Sequence, residues 1–283
     1  MANPTPRLAA LLFTPGSRLD RLPKAVASGA DGVIVDLEDA IALTDKDRVR
    51  AEVIAYFKEH GHVPADRPFT SAIRINHLRS PAGLADLDAL NAAAIRPDCV
   101  MLAKVESAAE VQLAARKLPE SVRLICLIET VQGVRRCASI AEASPRVAAL
   151  AFGGLDLSAE TGGEPTWDAL LWPRTMVVHA CAAVGLPAID QPFIDFANAA
   201  GLAAECAQTR TLGYVGKLAI HPGQIDIIRR TYLPTAEQVA RAGKIVAAFD
   251  AAKGNVAVVD GQMIDVPLYR SAQRVLARAD QGS

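Results

Sequence analysis

Short apolar runs recur along the chain at regular intervals, and eight of them have the length of a buried β-strand. The runs are LAALLF (8–13), DGVIVDLE (31–38), FTSAIRIN (69–76), DCVMLAK (98–104), RLICLIE (123–129), VAALAFG (147–153), PAIDQPF (187–193) and YVGKLAI (214–220). Segments with helical spacing lie between them, such as SAAEVQLAARKL and AGLAAECAQTRTLG, and Gly213 closes the latter as a typical helix C-terminus. Eight strand-then-helix units without a long linker predict an α/β fold, a (β/α)8 TIM barrel.

An open, doubly wound sheet is the alternative fold, but no G-x-G-x-x-G turn follows the first predicted strand. After the eighth strand the pattern changes to a capping box at 235–238, a hairpin turning at Asp260-Gly261 and a last helix with Pro267 in its first turn. We therefore predict a TIM barrel over residues 1–234 and a C-terminal helix–hairpin–helix appendage over 235–283. The appendage is too small to bury a core of its own.

Composition and charge narrow the function classes. The apolar content of 51% supports a large core, and the charged content of 22% is low enough to suggest that neighbouring subunits cover part of the surface. The net charge is −1 with no basic cluster, which counts against nucleic acid as a partner. Five cysteines without a C-x-x-C pair predict reduced, packed thiols in a cytoplasmic protein. The apolar run before 14–16 is too short for a signal peptide, and no later stretch is long enough to span a membrane.

Polar residues stand at the C-terminal ends of most predicted strands. They are Asp36 and Glu38, Arg74 and Asn76, Lys104 and Glu106, Glu129, Asp156, Asp190 and His221. Such ends converge on one mouth of a barrel, where TIM-barrel enzymes carry their active sites. A single charged residue there is more often a helix cap or a rim ion pair, and we interpret Glu106 and Asp39 as caps or supporting partners. Polar residues at seven of eight strand ends nevertheless favour a site.

Two of these carboxylates suggest a metal. Glu129 and Asp156 come from neighbouring strands, and the small residues Gly153 and Gly154 let the backbone approach. Carboxylates with no histidine or cysteine beside them suit a hard cation such as Mg²⁺, which takes one or two protein carboxylates and completes its shell with water and substrate. Lys104 offers a Schiff base as a weaker alternative.

The remaining polar residues complete this interpretation. Asp36 and Glu38 would hydrogen-bond the waters around such an ion, and Arg74 would bind a substrate carboxylate or a developing enolate. Ser107 and Ser158 lack the G-x-S-x-G context of a nucleophilic serine, so a catalytic triad is not predicted.

Nine motifs in order connect the chain to a known family. They are LLFTPGSRLDRLPKA, GADGVIVDLEDAI, IRIN, KVES, LIETVQGV, AFGGLDLS, AIDQPF, GKLAIHPGQI and GQMIDVPLYRSAQRVL. Together they resemble the CitE-like branch of the HpcH/HpaI aldolase/citrate lyase superfamily, which includes citrate lyase β subunits and malyl-CoA and citramalyl-CoA lyases. The resemblance runs from about Leu11 to Leu276.

The resemblance implies a function and a set of site residues. It implies a Mg²⁺-dependent carbon–carbon lyase that cleaves a 3-hydroxy-acyl-CoA thioester of the citryl-CoA, malyl-CoA or citramalyl-CoA type to a 2-oxo acid and an acyl-CoA. Glu129 and Asp156 would bind the metal, and with Gly154 and Arg74 they would contact the substrate. Asp265 would act as acid/base from a neighbouring subunit of a homotrimer or dimer of trimers, although its place before Pro267 equally suggests a helix N-cap.

The chain also departs from the family pattern at three places. Ala9-Ala10 replaces an Arg-Ser, with an expected effect on CoA binding; Ala103 replaces a proline; and Trp172-Pro173 is expected to reshape the acyl pocket. Two rival functions stay open. One is a CoA-independent class II pyruvate-type aldolase, against which residues 235–283 count, and the other is a non-catalytic subunit of a larger lyase complex.

Overall fold

Eight parallel strands close into a barrel in the computed structural model, which describes residues 6–282. The strands follow one another around the barrel in chain order, and the first pairs with the eighth. They are β1 (Ala10–Pro15), β2 (Gly32–Asp36), β3 (Thr70–Ile75), β4 (Cys99–Leu102), β5 (Arg123–Ile128), β6 (Val147–Phe152), β7 (Ala188–Asp190) and β8 (Gly216–Ala219). The predicted TIM barrel is confirmed.

Helices connect the strands of the barrel. They are α1 (Leu22–Ala27), α2 (Lys46–His60), α3 (Pro81–Ala93), α4 (Ala108–Lys117), α5 (Val131–Arg135), α6 (Cys137–Ala141), α7 (Gly154–Thr161), α8 (Trp167–Val184), α9 (Ala199–Leu212) and α10 (Ile225–Tyr232). Several begin at a side-chain cap: Ser80, Ser107 and Thr130 each accept a hydrogen bond from the backbone N–H three residues on. Gly213 ends α9 in the left-handed conformation, as predicted.

The barrel interior is filled by one or two apolar side chains from each strand. This core comprises Leu8, Leu11, Ile34, Ala72, Cys99, Met101, Ile125, Leu127, Ala149, Ala151, Ile189 and Leu218. Because side chains alternate along a strand, a residue two places beyond a core residue also faces the barrel axis. Asp36, Arg74 and Glu129 stand in that relation to Ile34, Ala72 and Leu127, so their side chains emerge at the C-terminal mouth.

Two expectations are corrected, that for Asp190 by the same alternation and that for Asn76 because it lies beyond the end of β3. Asp190 follows the core residue Ile189 directly and therefore points outward, where it pairs with Arg174 at 3.1 Å and with Lys217. Asn76 lies beyond the end of β3 and donates to Asp86 at 2.6 Å. Neither side chain lines the mouth cavity.

Two of the departures from the family pattern lie away from the mouth, whereas Ala103 directly precedes Lys104 there. Ala9 and Ala10 are buried at the start of β1, the opposite end of the strand from the mouth, and their effect on CoA binding stays a prediction. Trp172 and Pro173 are part of α8 and line a separate cavity of about 200 Å³ beside α5 and α7. Neither residue lines the mouth cavity, and their effect on the acyl pocket stays a prediction.

A second compact unit begins at Arg229, whereas the predicted boundary falls after residue 234. It contains α11 (Ala236–Ala251), the antiparallel strands β9 (Ala257–Val259) and β10 (Gln262–Ile264), and α12 (Val266–Gly282). The capping box of Thr235 and Gln238 is present, and Asp260 and Gly261 turn the hairpin with φ of 49° and 77°. Phe249, Val259 and Ile264 form its small apolar cluster.

The five cysteines are free and buried, as predicted for packed thiols. They are Cys99, Cys126, Cys137, Cys181 and Cys206. Within residues 6–282, the helices all fall short of the length and apolar character that crossing a bilayer requires.

Candidate active site

Arg74 is fixed at the mouth by a bidentate pair with Asp36. The two residues are register partners on β3 and β2, and Nε and Nη2 of Arg74 lie 2.7 and 2.8 Å from the two oxygens of Asp36. The same carboxylate accepts the backbone N–H groups of Glu38 and Ala40 at 2.9 and 3.1 Å. Because its oxygens are already engaged, Asp36 serves to orient Arg74 and the loop after β2.

The remaining face of Arg74 is held by an aromatic ring and two further acids. Its guanidinium carbon lies 4.6 Å from the ring centroid of Phe13, a cation–π contact. Nη1 lies 3.1 Å from Glu38 Oε2 and 3.3 Å from Asp39 Oδ2. Burial lowers the pKa of Arg74, but the hydrogen bonds and charge of Asp36 outweigh it and raise that pKa overall, so the residue is a permanent cation.

Glu129 follows β5 and is almost fully buried, at 3% exposure. The absence of a side chain at Gly153 makes room for it, since a Cβ there would lie 2.6 Å from Glu129 Cβ and 2.7 Å from Oε2. The backbone N–H of Lys104 donates to Oε1 at 2.9 Å. Burial raises the pKa of Glu129 well above its ordinary value, while the charge of Lys104 opposes the shift.

Asp156 lies in the first turn of α7, and its side chain is 40% exposed to the mouth. The first residue of that helix, Gly154, donates its N–H to Gln191 Oε1 at 2.6 Å. Gln191 follows β7 and, unlike Asp190, faces the cavity. It was not among the predicted residues, although the alternation beyond Ile189 would have placed it there.

Lys104 projects its ammonium group into the middle of these acids. Nζ lies 2.5 Å from Glu38 Oε1, 3.2 Å from Asp156 Oδ2 and 3.9 Å from Glu129 Oε1. Burial lowers the pKa of Lys104, but the charges of Glu129 and Glu38 outweigh it and raise that pKa overall. A lysine held in the charged form is a poor nucleophile, which counts against the Schiff-base alternative.

Glu38 lies between the two cations of the site. It contacts Lys104 through Oε1 and Arg74 through Oε2. Burial raises its pKa to about 7, and the neighbouring charge of Arg74 opposes that shift. The predicted residues Asp36, Glu38, Arg74, Glu129 and Asp156 therefore do converge at one end of the barrel.

Most of these side chains line one cavity of about 380 Å³, whereas Glu38 and Lys104 lie beside it and are not part of its lining. Asp36, Asp39, Arg74, Glu129, Asp156 and Gln191 supply its polar wall, and the apolar wall comes mainly from Phe13, Leu127, Phe152, Leu155, Leu218 and Ile220. A cavity lined by both polar and apolar side chains suits a substrate with a charged end and an apolar stem.

The donor set fits a hard cation. Glu129 and Asp156 offer carboxylate oxygens only, and the ammonium group of Lys104 between them shows that the place already attracts positive charge. Across the described part of the chain, no group of three or more histidine, cysteine, aspartate or glutamate side chains is arranged to hold a metal ion. Two carboxylates with water and substrate are the ordinary protein contribution to a Mg²⁺ shell, so the residues fit this ion.

Three other predicted residues have structural partners. Glu106 pairs with Arg79 at 3.0 Å. His221 accepts the N–H of Gly223 at 3.1 Å as a cap. In the second unit, Asp265 Oδ1 accepts the N–H of Leu268 at 3.1 Å, so the helix-cap interpretation of Asp265 is confirmed.

A closed parallel barrel with carboxylates, a fixed arginine and a cavity at its C-terminal mouth defines a TIM-barrel enzyme of the metal-assisted kind. Two family models match the chain, HpcH/HpaI aldolase/citrate lyase over residues 9–222 and C–C bond lyase of the TIM-barrel fold over residues 164–281. The chain belongs to the HpcH/HpaI aldolase/citrate lyase family, as its motifs predicted.

Individual relatives resemble the chain over nearly its whole length. L-malyl-CoA/β-methylmalyl-CoA lyase of Cereibacter sphaeroides is 32% identical over 95% of this chain and 93% of that protein. The (3S)-malyl-CoA thioesterase of the same species is 32% identical over 99% and 97%. The crystal structure of CitE from Mycobacterium tuberculosis in complex with magnesium, acetoacetate and coenzyme A superposes with a TM-score of 0.78, at 32% identity over 97% of this chain and 98% of that one.

Proposed function

We propose that this protein is a Mg²⁺-dependent carbon–carbon lyase that cleaves a 3-hydroxy-acyl-CoA thioester to a 2-oxo acid and an acyl-CoA. Citryl-CoA, malyl-CoA and citramalyl-CoA define the substrate type. The observation that carries the proposal is the convergence of Glu129, Asp156 and the permanently charged Arg74 on one cavity. The malyl-CoA lyase relative and the CitE complex with magnesium and coenzyme A support the same chemistry.

Glu129 and Asp156 would hold the metal. When bound, Mg²⁺ supplies a Lewis acid that polarises an oxygen of the substrate. The N–H of Lys104 on Glu129 Oε1 and the space left by Gly153 fix the direction of the buried carboxylate. Asp156 stands at the exposed rim, where a substrate enters.

Arg74 would stabilise the charge that cleavage creates. The bond between the hydroxyl-bearing carbon and the carbon beside the thioester breaks, the hydroxyl proton passes to a base, and the electron pair moves into the thioester as an enolate. Asp36 and Phe13 hold Arg74 before the reaction begins, so no reorganisation is needed as that charge appears. Gly154 would contact the substrate from the start of α7.

Asp265 would then protonate the enolate carbon to complete the acyl-CoA. In this proposal it comes from a neighbouring subunit of a homotrimer or a dimer of trimers, and the family resemblance of the segment GQMIDVPLYRSAQRVL supports it. Its second carboxylate oxygen is not needed for the helix cap, in which Oδ1 is the acceptor. Five buried free thiols support a cytoplasmic location.

Thioester hydrolysis is a second candidate because the thioesterase relative matches the full chain as well as the lyase does. The two reactions differ in which bond of the substrate is broken. A lyase leaves the thioester intact and releases a 2-oxo acid, whereas a thioesterase releases the free thiol of CoA and no oxo acid.

Purified protein should therefore be incubated with malyl-CoA, citramalyl-CoA and citryl-CoA, with Mg²⁺ or with EDTA, while 2-oxo acid and free thiol are followed in parallel. The lyase proposal expects metal-dependent oxo-acid release that is lost in Glu129→Gln and retained in Glu59→Gln, an exposed acid on α2. Thiol release without oxo acid would favour the thioesterase. Turnover of a free hydroxy-oxo acid instead of the thioesters would favour the CoA-independent aldolase, and no turnover at all would favour the non-catalytic subunit.

A further inference from the structure

The backbone of Lys104 is held in an unfavourable conformation at the mouth of the barrel. Its φ is +50°, in the left-handed region that non-glycine residues seldom adopt. Hydrogen bonds fix it on both sides: its N–H donates to Glu129 Oε1 at 2.9 Å, and its carbonyl accepts from Arg79 Nη1 at 2.8 Å. A strained residue persists where its surroundings determine it, and such residues concentrate at functional sites.

The two cations of the site share Glu38 and Asp39 and differ in their other partners. The ion pairs of Arg74 go to Asp36 at the end of β2 and to Glu38 and Asp39 on the loop after it. The ion pairs of Lys104 extend across the mouth to Asp156 and Glu129, at 3.2 and 3.9 Å. The ammonium group is therefore close to both proposed metal ligands.

A Mg²⁺ ion and this ammonium group exclude each other. Mg²⁺ requires its oxygen ligands at about 2.0–2.1 Å in near-octahedral geometry. An ammonium group that lies 3.2 Å from Asp156 Oδ2 and 3.9 Å from Glu129 Oε1 takes up part of that space and adds a repulsive charge. The ammonium group also pairs with Glu38 at 2.5 Å and Asp39 at 3.5 Å, so it retains acidic partners if it gives up the two proposed metal ligands.

We propose that Lys104 is a positioning residue that acts as the built-in counter-ion of the metal site. It neutralises Glu129 and Asp156 while no metal is present, and it gives up these two contacts and keeps its pairs with Glu38 and Asp39 when Mg²⁺ binds. Its charge thereby lowers the affinity for Mg²⁺ and keeps the metal-free acids from repelling one another. This inference rests on the proposed metal-dependent function.

Calorimetric Mg²⁺ titration of the full-length wild type, Lys104→Met and Lys58→Met tests the inference. Methionine keeps the unbranched stem and the same backbone cost, and Lys58 is an exposed lysine of α2 that serves as the control. Without the competing charge, Lys104→Met should bind Mg²⁺ on the order of tenfold more tightly than the wild type, and the control should not differ. The melting temperature of metal-free Lys104→Met should fall below that of the wild type and recover with saturating Mg²⁺.

Equal or weaker Mg²⁺ binding by Lys104→Met would overturn the counter-ion role and leave the metal site intact. Absence of Mg²⁺ binding to the wild type would instead overturn the metal site, and this inference with it. The two failures are thus distinguishable without any activity measurement.

A second measurement covers the case in which Lys104→Met does not fold. Wild-type protein labelled with ¹³C at the lysine ε-carbon should show one resonance that shifts with Mg²⁺ in proportion to the bound metal. That resonance should be missing from Lys104→Arg, which keeps the positive charge. If the Lys104 resonance stays unchanged at saturating Mg²⁺, the displacement is refuted.

Discussion

Asp36 and Arg74 are direct register partners on neighbouring barrel strands, and two hydrogen bonds of 2.7 and 2.8 Å join them side by side. A single bond would let the guanidinium rotate, whereas the paired geometry fixes its plane. Since Asp36 also accepts the N–H groups of Glu38 and Ala40, the same carboxylate shapes the loop that carries the acids. The orientation of Arg74 and the conformation of the acidic loop after β2 thus both depend on the Asp36–Arg74 pair.

Arg74→Lys should lower kcat on the order of a hundredfold or more, because lysine keeps the charge but loses the planar fork that Asp36 orients. The measurement is steady-state kinetics of 2-oxo-acid release, with the melting temperature as a check of folding. Arg48→Lys, an exposed change on α2, provides the control. An Arg74→Lys enzyme with wild-type kcat would show that a positive charge alone suffices and that the paired geometry has no catalytic role.

Alternation along the strands made much of this site predictable. Glu129 and Arg74 lie two residues beyond core positions at strand ends. Their charge and their spacing therefore both predicted a place at the mouth. Asp190 was expected at the mouth because it is charged and lies at a strand end. Alternation from the core residue Ile189 turns its side chain outward instead. Gln191, its uncharged neighbour, occupies the cavity instead.

Other features of the site have no local sequence signal. The left-handed backbone of Lys104 depends on partners at Glu129 and Arg79, which are distant in the chain. The contact of Phe13 with Arg74 depends on how β1 and β3 lie around the barrel. Such contacts form only when the sheet closes into a barrel, so a short sequence motif alone does not predict them.

Gly153→Ala should weaken Mg²⁺ binding and activity together. The added methyl group would lie 2.6 Å from Glu129 Cβ and 2.7 Å from its Oε2, so the buried carboxylate would have to move. Gly163→Ala is a matched control, since its nearest atom outside the adjacent residues is 3.5 Å away and its side chain would face solvent. Calorimetric titration with Mg²⁺ checks the prediction, and equal affinity in the two variants would show that Glu129 is not a tightly fitted ligand.

The stability of the metal-free protein should fall as the pH rises through the titration range of Glu38. Burial raises the pKa of Glu38 from its ordinary 4.5 to about 7. Between those values the folded state binds more protons than the unfolded state, so the free energy of unfolding decreases with pH and levels off above about 7. Glu129, whose pKa burial also raises, contributes with the same sign.

Urea unfolding in EDTA at a series of pH values from 5 to 8 measures this dependence. Glu38→Gln should remove its share of the decline, because glutamine does not titrate. Glu59→Gln, on the exposed face of α2, should leave the decline unchanged. A Glu38→Gln protein with the same pH dependence as the wild type would show that Glu38 keeps an ordinary pKa in the folded protein.

Asp265→Asn should separate the two roles of Asp265. Asparagine caps a helix about as well as aspartate, so α12 and the melting temperature should change little. Asparagine does not donate a proton as a carboxylic acid does, so kcat should fall on the order of 10²–10⁴-fold if Asp265 is the acid. Full activity in Asp265→Asn would assign this residue to the helix cap alone.

Mixing Asp265→Asn with Glu129→Gln tests whether the acid comes from a neighbouring subunit. Each variant alone should be inactive, because every site lacks either the acid or a metal ligand. After unfolding and refolding together in equal amounts, about one pairing of adjacent subunits in four joins an intact Glu129 to an intact Asp265, and activity should return in about that fraction. If both residues of a site belonged to one chain, no mixture would regain activity. Size-exclusion chromatography of the same samples should show a trimer or a dimer of trimers, and a monomer would contradict a site shared between chains.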